Sequence, residues 1–182
     1  RLSSRLGAYL AGRIAAAERD MEAASRFYAH ALAADPANAE LRRHSFQAHL
    51  AAGSVDEAVN LADALRRDAE SASVARIVLA AAAAKKGDFA AAKRLVEVLP
   101  EAGANRLLKP GFLPWIEVWL GDQSKAVEAL RALAGIESLR VFLELHMALI
   151  YDMGGKTDEA DRFDRAASGT VDSAPLRVSQ AY

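Results

Sequence analysis

A solenoid of antiparallel helix pairs, all-α throughout, is the fold class that the sequence predicts, and three observations predict it. Glycines stand at Gly53, Gly87, Gly121 and Gly155, each 34 positions from the next. Alanines at Ala24, Ala58, Ala92, Ala126 and Ala160 keep the same spacing. Composition agrees: about 42 of the 182 residues are alanine, while glycine and proline number 11 and 5. Such a mixture favours helix, and self-similarity at a fixed period of this size marks a repeat array. In an array each unit buries its apolar face against its neighbours, with no need of contacts from distant parts of the chain.

The local chemistry supplies each unit with a stop, a turn and a start. Asp20, Ser54, Asp88 and Asp122 follow the glycine frame, and all are good helix N-caps. Glycine directly before such a residue is free to take the left-handed conformation that ends the preceding helix. Ser54 followed by Glu57 has the capping-box pattern, in which each side chain satisfies an amide at the helix start. Each unit therefore reads as two helices of about 13 residues joined by a tight turn. Ala24, Ala58, Ala92, Ala126 and Ala160 are expected to let each second helix approach its partner closely, with Gly12, Ala80 and Ala148 opposite them. Phe46 and Pro114 break that rule.

Taken in order, the second helices begin in RDMEAASRFYAHALAADP, GSVDEAVNLADAL, GDFAAAKRLVEVL, GDQSKAVEAL and GGKTDEADRFDRA. The 34-residue unit resembles the tetratricopeptide repeat, and in the first unit Gly12, Ala24, Tyr28, Ala31 and Pro36 carry the resemblance. It covers nearly all of the chain as five units, about 5–38, 39–72, 73–106, 107–140 and 141–174, within a single array over 1–182. Residues 175–182 read as the start of a capping or truncated helix. There are departures from the pattern. Glu70, Ala104 and Ser138 stand where Pro36 closes the first unit; Arg19 replaces a turn glycine, Lys156 a cap, and Asp164 an apolar residue. Pro110 and Pro114 predict a shortened or kinked first helix in unit four, starting between those two residues, because an internal proline removes a hydrogen bond. The resemblance implies a right-handed superhelix.

Several function classes are disfavoured. There are 23 basic and 24 acidic side chains for a net charge of −1, so no nucleic-acid partner is expected. Pentatricopeptide arrays, which read RNA bases, look similar but repeat at 35 residues rather than 34, a further reason against that reading. No cysteine is present, which removes thiolate metal sites and cysteine nucleophiles. His30, His44, His49 and His146 lie in no metal-ligand spacing, so structural roles are expected of them. Asp158, Glu159, Asp161 and Asp164 read as a solvated face, the first two favouring a helix N-terminus. Neither GxxxxGK[ST] nor GxSxG occurs, and no enzyme activity, cofactor or metal is expected. No run reaches the ~18 apolar residues of a membrane span, and no signal peptide is read at the start. The expectation is a soluble chain of open compartment, and the alanine-rich regularity suggests a bacterial source.

What remains is surface for binding a protein or peptide. The resemblance implies that first helices line a concave groove. Counting from the alanine frame puts Tyr9, Arg13, Glu40, Arg43, Gln47, Leu50, Ile77, Ala81 and Lys85 there from the first three units. Units four and five add Trp115, Val118, Trp119, Phe142, Leu145, Leu149, Asp152 and Met153. Arginine and tryptophan anchors suggest a segment with an apolar anchor and an acidic flank. The alternative for Trp115, Trp119 and Leu149 is packing against the next unit or the chain end. Tyr9 and Arg13 stand where a carboxylate-clamping set of lysine and asparagine would begin, so that specificity is not expected. The competing reading of the whole is a structural or oligomerisation segment, self-associating through the ends of the array.

Overall fold

The computed structural model describes residues 4–170, and among them regular structure is entirely helical. The chain divides into two compact units, one reaching to Lys85 and the other beginning at Lys86. The first holds α1 (Arg5–Ala17), α2 (Met21–Ala34), α3 (Ala39–Ala51), α4 (Val55–Leu65) and α5 (Ala72–Lys85), each packed on the next. The second holds α6 (Phe89–Glu97), α7 (Asn105–Trp119), α8 (Gln123–Arg131), α9 (Arg140–Met153) and α10 (Thr157–Thr170), again packed in succession. A 3₁₀ turn over Glu137–Leu139 leads into α9. The helix expected within 175–182 lies outside the described residues.

The turns work as the sequence predicts, with one exception. Gly53, Gly121 and Gly155 have φ of 78°, 83° and 70°. After α3, Gly53 N–H donates to the Leu50 carbonyl and Ser54 N–H to the His49 carbonyl. Such a pair satisfies carbonyls that the helix end would otherwise leave unpaired. Gly121 with Asp122, and Gly155 with Lys156, repeat it. Asp20, Asp88 and Asp122 accept from the amides of Ala23, Ala91 and Lys125. The exception is Ser54, whose side chain makes no capping bond. Its own amide is already spent on the His49 carbonyl, so the reciprocal capping box with Glu57 does not form.

Arg19 keeps the turn geometry without being glycine: its φ is 63°, and the amides of Arg19 and Asp20 still close on Ala16 and Ala15. A side chain in this region costs about 1 kcal/mol relative to glycine. Arg19→Gly is therefore expected to raise the stability of the first unit by up to about that amount, read as a higher urea midpoint with an unchanged slope.

Alanine at the frame positions is required by packing. Ala24, Ala58, Ala92 and Ala126 are completely buried. A Cβ added at Gly12 would lie 2.9 Å from the Tyr28 ring, so that glycine makes room for an aromatic side chain. In the second pair the sizes are exchanged. Phe46 fills the place of Gly12 and packs with Ala58, Ala62, Leu65, Ala75 and Val78. The departure of Phe46 from the small-residue rule is thus its use as the core of α3–α5.

The expected start between Pro110 and Pro114, and the shortening that goes with it, are corrected. α7 begins at Asn105 and runs through both prolines to Trp119. Each proline removes one amide donor from the helix interior at a cost of about 3 kcal/mol. Offsetting that, Pro114 and Ile116 are buried, and Trp115 and Val118 pack against the α8–α9 core of Ala126, Val127, Leu130, Met147 and Ile150. At the far end of α9, the Gln123 amide donates to the Ile150 carbonyl at 2.6 Å. A side chain at Gly154 would collide with that glutamine.

Candidate functional site

In the first unit, α1 and α3 bring Tyr9 and its neighbours together. The Tyr9 ring lies 6.2 Å from that of Tyr28 and 6.0 Å from that of His44, and His44 stacks on Tyr28 at 5.1 Å. The Tyr9 hydroxyl reaches the Glu40 carboxylate at 3.4 Å. Burial, helped by the neighbouring Tyr9, pushes the Tyr28 phenol up from its ordinary range, and Arg13 opposes the shift. His44, expected to be merely structural, is half-buried in this cluster and 3.4 Å from Glu40.

The cations of this unit are not equivalent. Arg13 and Gln47 are exposed, as is Lys85 at the last turn of α5. Arg43 is instead committed within the fold: it lies 3.0 Å from Glu70 and 3.9 Å from Asp68. Asp68 is held in place by accepting from the amides of Glu70 and Ser71. An acidic ligand would have to displace two internal carboxylates to use Arg43. Arg13 is the arginine that can meet one directly.

In the second unit, α7 and α9 form an aromatic group. Trp115 is half-buried against the α8–α9 core and presents an edge to His146, with centroids 5.5 Å apart. The His146 ring packs against Phe142 at 3.8 Å, and its Nδ1 lies 2.8 Å from the Phe142 carbonyl. Because a carbonyl only accepts, Nδ1 carries the proton and Nε2 is left as an acceptor in the neutral ring. Leu145 is half-buried, while Leu149 and Phe142 are 44% and 37% exposed. Trp119 is 62% exposed yet stacks face to face on Phe89 of α6 at 5.4 Å. The two tryptophans, one turn apart, therefore do different things: Trp115 is anchored in the core, and Trp119 lies over α6.

An ion pair with one buried partner stands beside this group. Lys93 of α6 meets Glu117 of α7 at 2.7 Å, and the Glu117 side chain is almost wholly covered. The hydrogen bond from Lys93 to Glu117 holds the ammonium above the usual lysine range. Nothing in the sequence pattern singled out this pair, because only folding brings the two helices together. On the surface of the same unit, Asp122 is held below the usual carboxylate range, first by its Lys125 side-chain bond.

Among the described residues no cluster of His, Cys, Asp or Glu is placed to hold a metal ion. No described helix is long and apolar enough to cross a membrane. Residues 15–76 match the family model described as tetratricopeptide repeat. No curated protein sequence matches the chain. Solved structures do match in fold. A crystal structure of MamA protein is similar at 20% identity with a TM-score of 0.69, covering 91% of this chain and 90% of that one. YrrB, described as a TPR protein with an unusual peptide-binding site, is similar at 15% identity and a TM-score of 0.74, covering 97% and 91%. A thermophilic TPR protein in Thermus thermophilus is similar at 21% identity and a TM-score of 0.54, covering 98% and 97%.

Proposed function

Because the chain carries tetratricopeptide repeats and has the fold of such proteins, we propose that it is a non-catalytic scaffold capturing a peptide or protein segment on its first helices. We take the repeats as five units of 34 residues, with the first helices supplying the recognition face. Protein or peptide partners are what this fold class accommodates, and the peptide-binding description of YrrB fits that reading. The observation that carries the proposal is the set of large side chains left uncovered on α7 and α9. Trp119, Phe142, Leu149 and Met153 are all more than a third exposed, and hot-spot anchors have this character. In the first unit Tyr9, Arg13 and Gln47 supply polar and aromatic contacts, with Arg43 held back by its internal carboxylates. Lys85, Trp115 and Leu145 complete the proposed recognition residues.

The test begins with partner capture from lysate, followed by affinity measurement on the purified partner. Phe142→Ala with Leu149→Ala is expected to weaken binding by about 30-fold or more while the circular-dichroism spectrum stays helical; melting falls only modestly, because Phe142 gives up its packing on His146 and both side chains are more than a third exposed. Unchanged affinity in that variant and in Arg13→Glu would overturn the assignment.

One observation favours the structural reading as a second possibility. α1 leaves Leu6, Leu10 and Ile14 exposed, one turn apart along a single face. Self-association through this face predicts a concentration-dependent mass in sedimentation equilibrium; a monomer at every concentration removes that reading.

A further inference from the structure

α10 is the last of the described helices, and one of its sides is left open. Each earlier second helix has a first helix packed on it: α3 on α2, α5 on α4, α7 on α6 and α9 on α8. The residues so covered keep the 34-residue register. Tyr28, Ala62, Val96 and Leu130 stand at one place in the second helix, and all four are buried. One turn earlier, Ser25 and Val127 are buried as well. α10 carries Asp164 and Asp161 at these two places. With Leu145 and Leu149 of α9 they line a groove of about 460 Å³, within the range of binding sites. Asp161 is exposed and Asp164 half-buried, and among the described residues no following helix lies on them.

The contacts of that register can be followed residue by residue. Between α2 and α3, His44 stacks on Tyr28, and Leu41 packs with Ala8 and Ala31. Four periods of 34 carry Tyr28 to Asp164, Ala8 to Glu144 and Ala31 to Ala167. The same shift carries Leu41 to Arg177 and His44 to Gln180. Both sides of the contact change character together. Two carboxylates replace Ala8 and Tyr28, and the residues that correspond to their partners are a cation and an amide. A carboxylate covered by an apolar helix loses its hydration with no return, whereas arginine and glutamine offer it donors. Residues 171–174 separate α10 from Pro175, as residues 35–38 separate α2 from α3, so the spacing suits the same turn back.

We propose that residues 171–182 of this chain dock in the groove as a sixth first helix, held on α10 by charge rather than by apolar packing. Arg177 lies between Glu144 and Asp164, and Gln180 donates its amide to Asp164. Asp164 thereby has a reason for departing from the apolar pattern of the repeat. The proposal rests on the five-unit register taken above and goes beyond the recognition face, which the docked segment borders at Leu145 and Leu149. Charge selects this occupant over the α1 of a second copy, whose Leu6, Leu10 and Ile14 are also uncovered. In the same register α1 would set Gly7 and Leu10 where Arg177 and Gln180 stand, and neither side chain brings a donor to the aspartates. An ionic contact of this kind weakens as salt rises, so this end of the array opens in high salt while the apolar contacts hold.

Amide hydrogen exchange on the full chain, read by nuclear magnetic resonance, tests this. Arg177→Glu is expected to lower the protection of the α10 amides about tenfold, the size of a charged hydrogen bond, with α1 to α5 unchanged. Asp164→Arg should lower it similarly, and the two substitutions together, which reverse the pair, should recover much of the loss. Raising the salt from about 0.05 M to about 1 M should lower α10 protection in the wild type and leave Arg177→Ala unaffected. Protection that Arg177→Glu does not move, or no recovery in the reversed pair, would overturn the proposal. So would an effect that grows with protein concentration, because it would seat another copy's segment in the groove. None of these substitutions touches a proposed recognition residue, so the binding measured for Phe142→Ala with Leu149→Ala judges that assignment separately.

Discussion

Phe46→Ala is expected to cost about 3–5 kcal/mol, a large part of what holds a domain of this size folded. The expectation runs against the repeat pattern. Gly12, Ala80 and Ala148 occupy the equivalent place in other units, so averaging the repeats would nominate alanine at 46 as an improvement. The structure says otherwise because Phe46 is 1% exposed and is the largest side chain among Ala58, Ala62, Leu65, Ala75 and Val78. Three of those five are alanines, which are too short to close over the space left by the ring. Removing it deletes buried apolar surface and leaves a cavity whose lining has lost its contacts. Urea unfolding followed by circular dichroism checks this. A loss under about 1 kcal/mol would mean that the helices α3, α4 and α5 collapse freely onto one another, and that the packing described for them is wrong.

Lys93→Met is expected to destabilise the second unit by about 3 kcal/mol near neutral pH. The reason is less the loss of an attraction than the stranding of Glu117, which is only 6% exposed and then lacks this cation. Removing one member of a buried pair is costly, whereas replacing both by apolar groups is often neutral. Lys93→Met combined with Glu117→Leu should therefore recover most of the loss, and a double variant no more stable than the single one would refute the account. The pH dependence has a definite sign. The folded-state pKa of Lys93 lies above its unfolded value of about 10.5. Its contribution is therefore fully present below that value and is lost as the pH rises through the folded pKa. The stability difference between wild type and the double variant should therefore shift against the wild type as the pH rises into that alkaline window.

These two cases mark where sequence reading stops, since each depends on groups that only packing brings together. The 34-residue spacing of glycine and alanine is legible because it is set by local chemistry. Gly53, Ser54 and His49 settle their turn among themselves, and Asp20, Asp88 and Asp122 cap with amides three residues on. A pattern confined to a few neighbours survives intact in a linear sequence. Ser54 shows the limit even at this range, since its amide had two possible partners and the preceding helix took it.

The candidate site was legible only in part. Counting along the repeat nominated Tyr9, Phe142 and Leu149, because position on a helix follows from number. It did not reveal that Arg43 is held by Glu70 and Asp68, that Trp119 lies on Phe89, or that His146 joins Trp115 to Phe142. The sequence alone determined the helical repeat, its period and most of its turns, all of which depend on residues close along the chain. The tertiary structure alone decided which charges are already paired and how α7 continues through two prolines. Each of those is an energy difference between groups brought together only when helices pack.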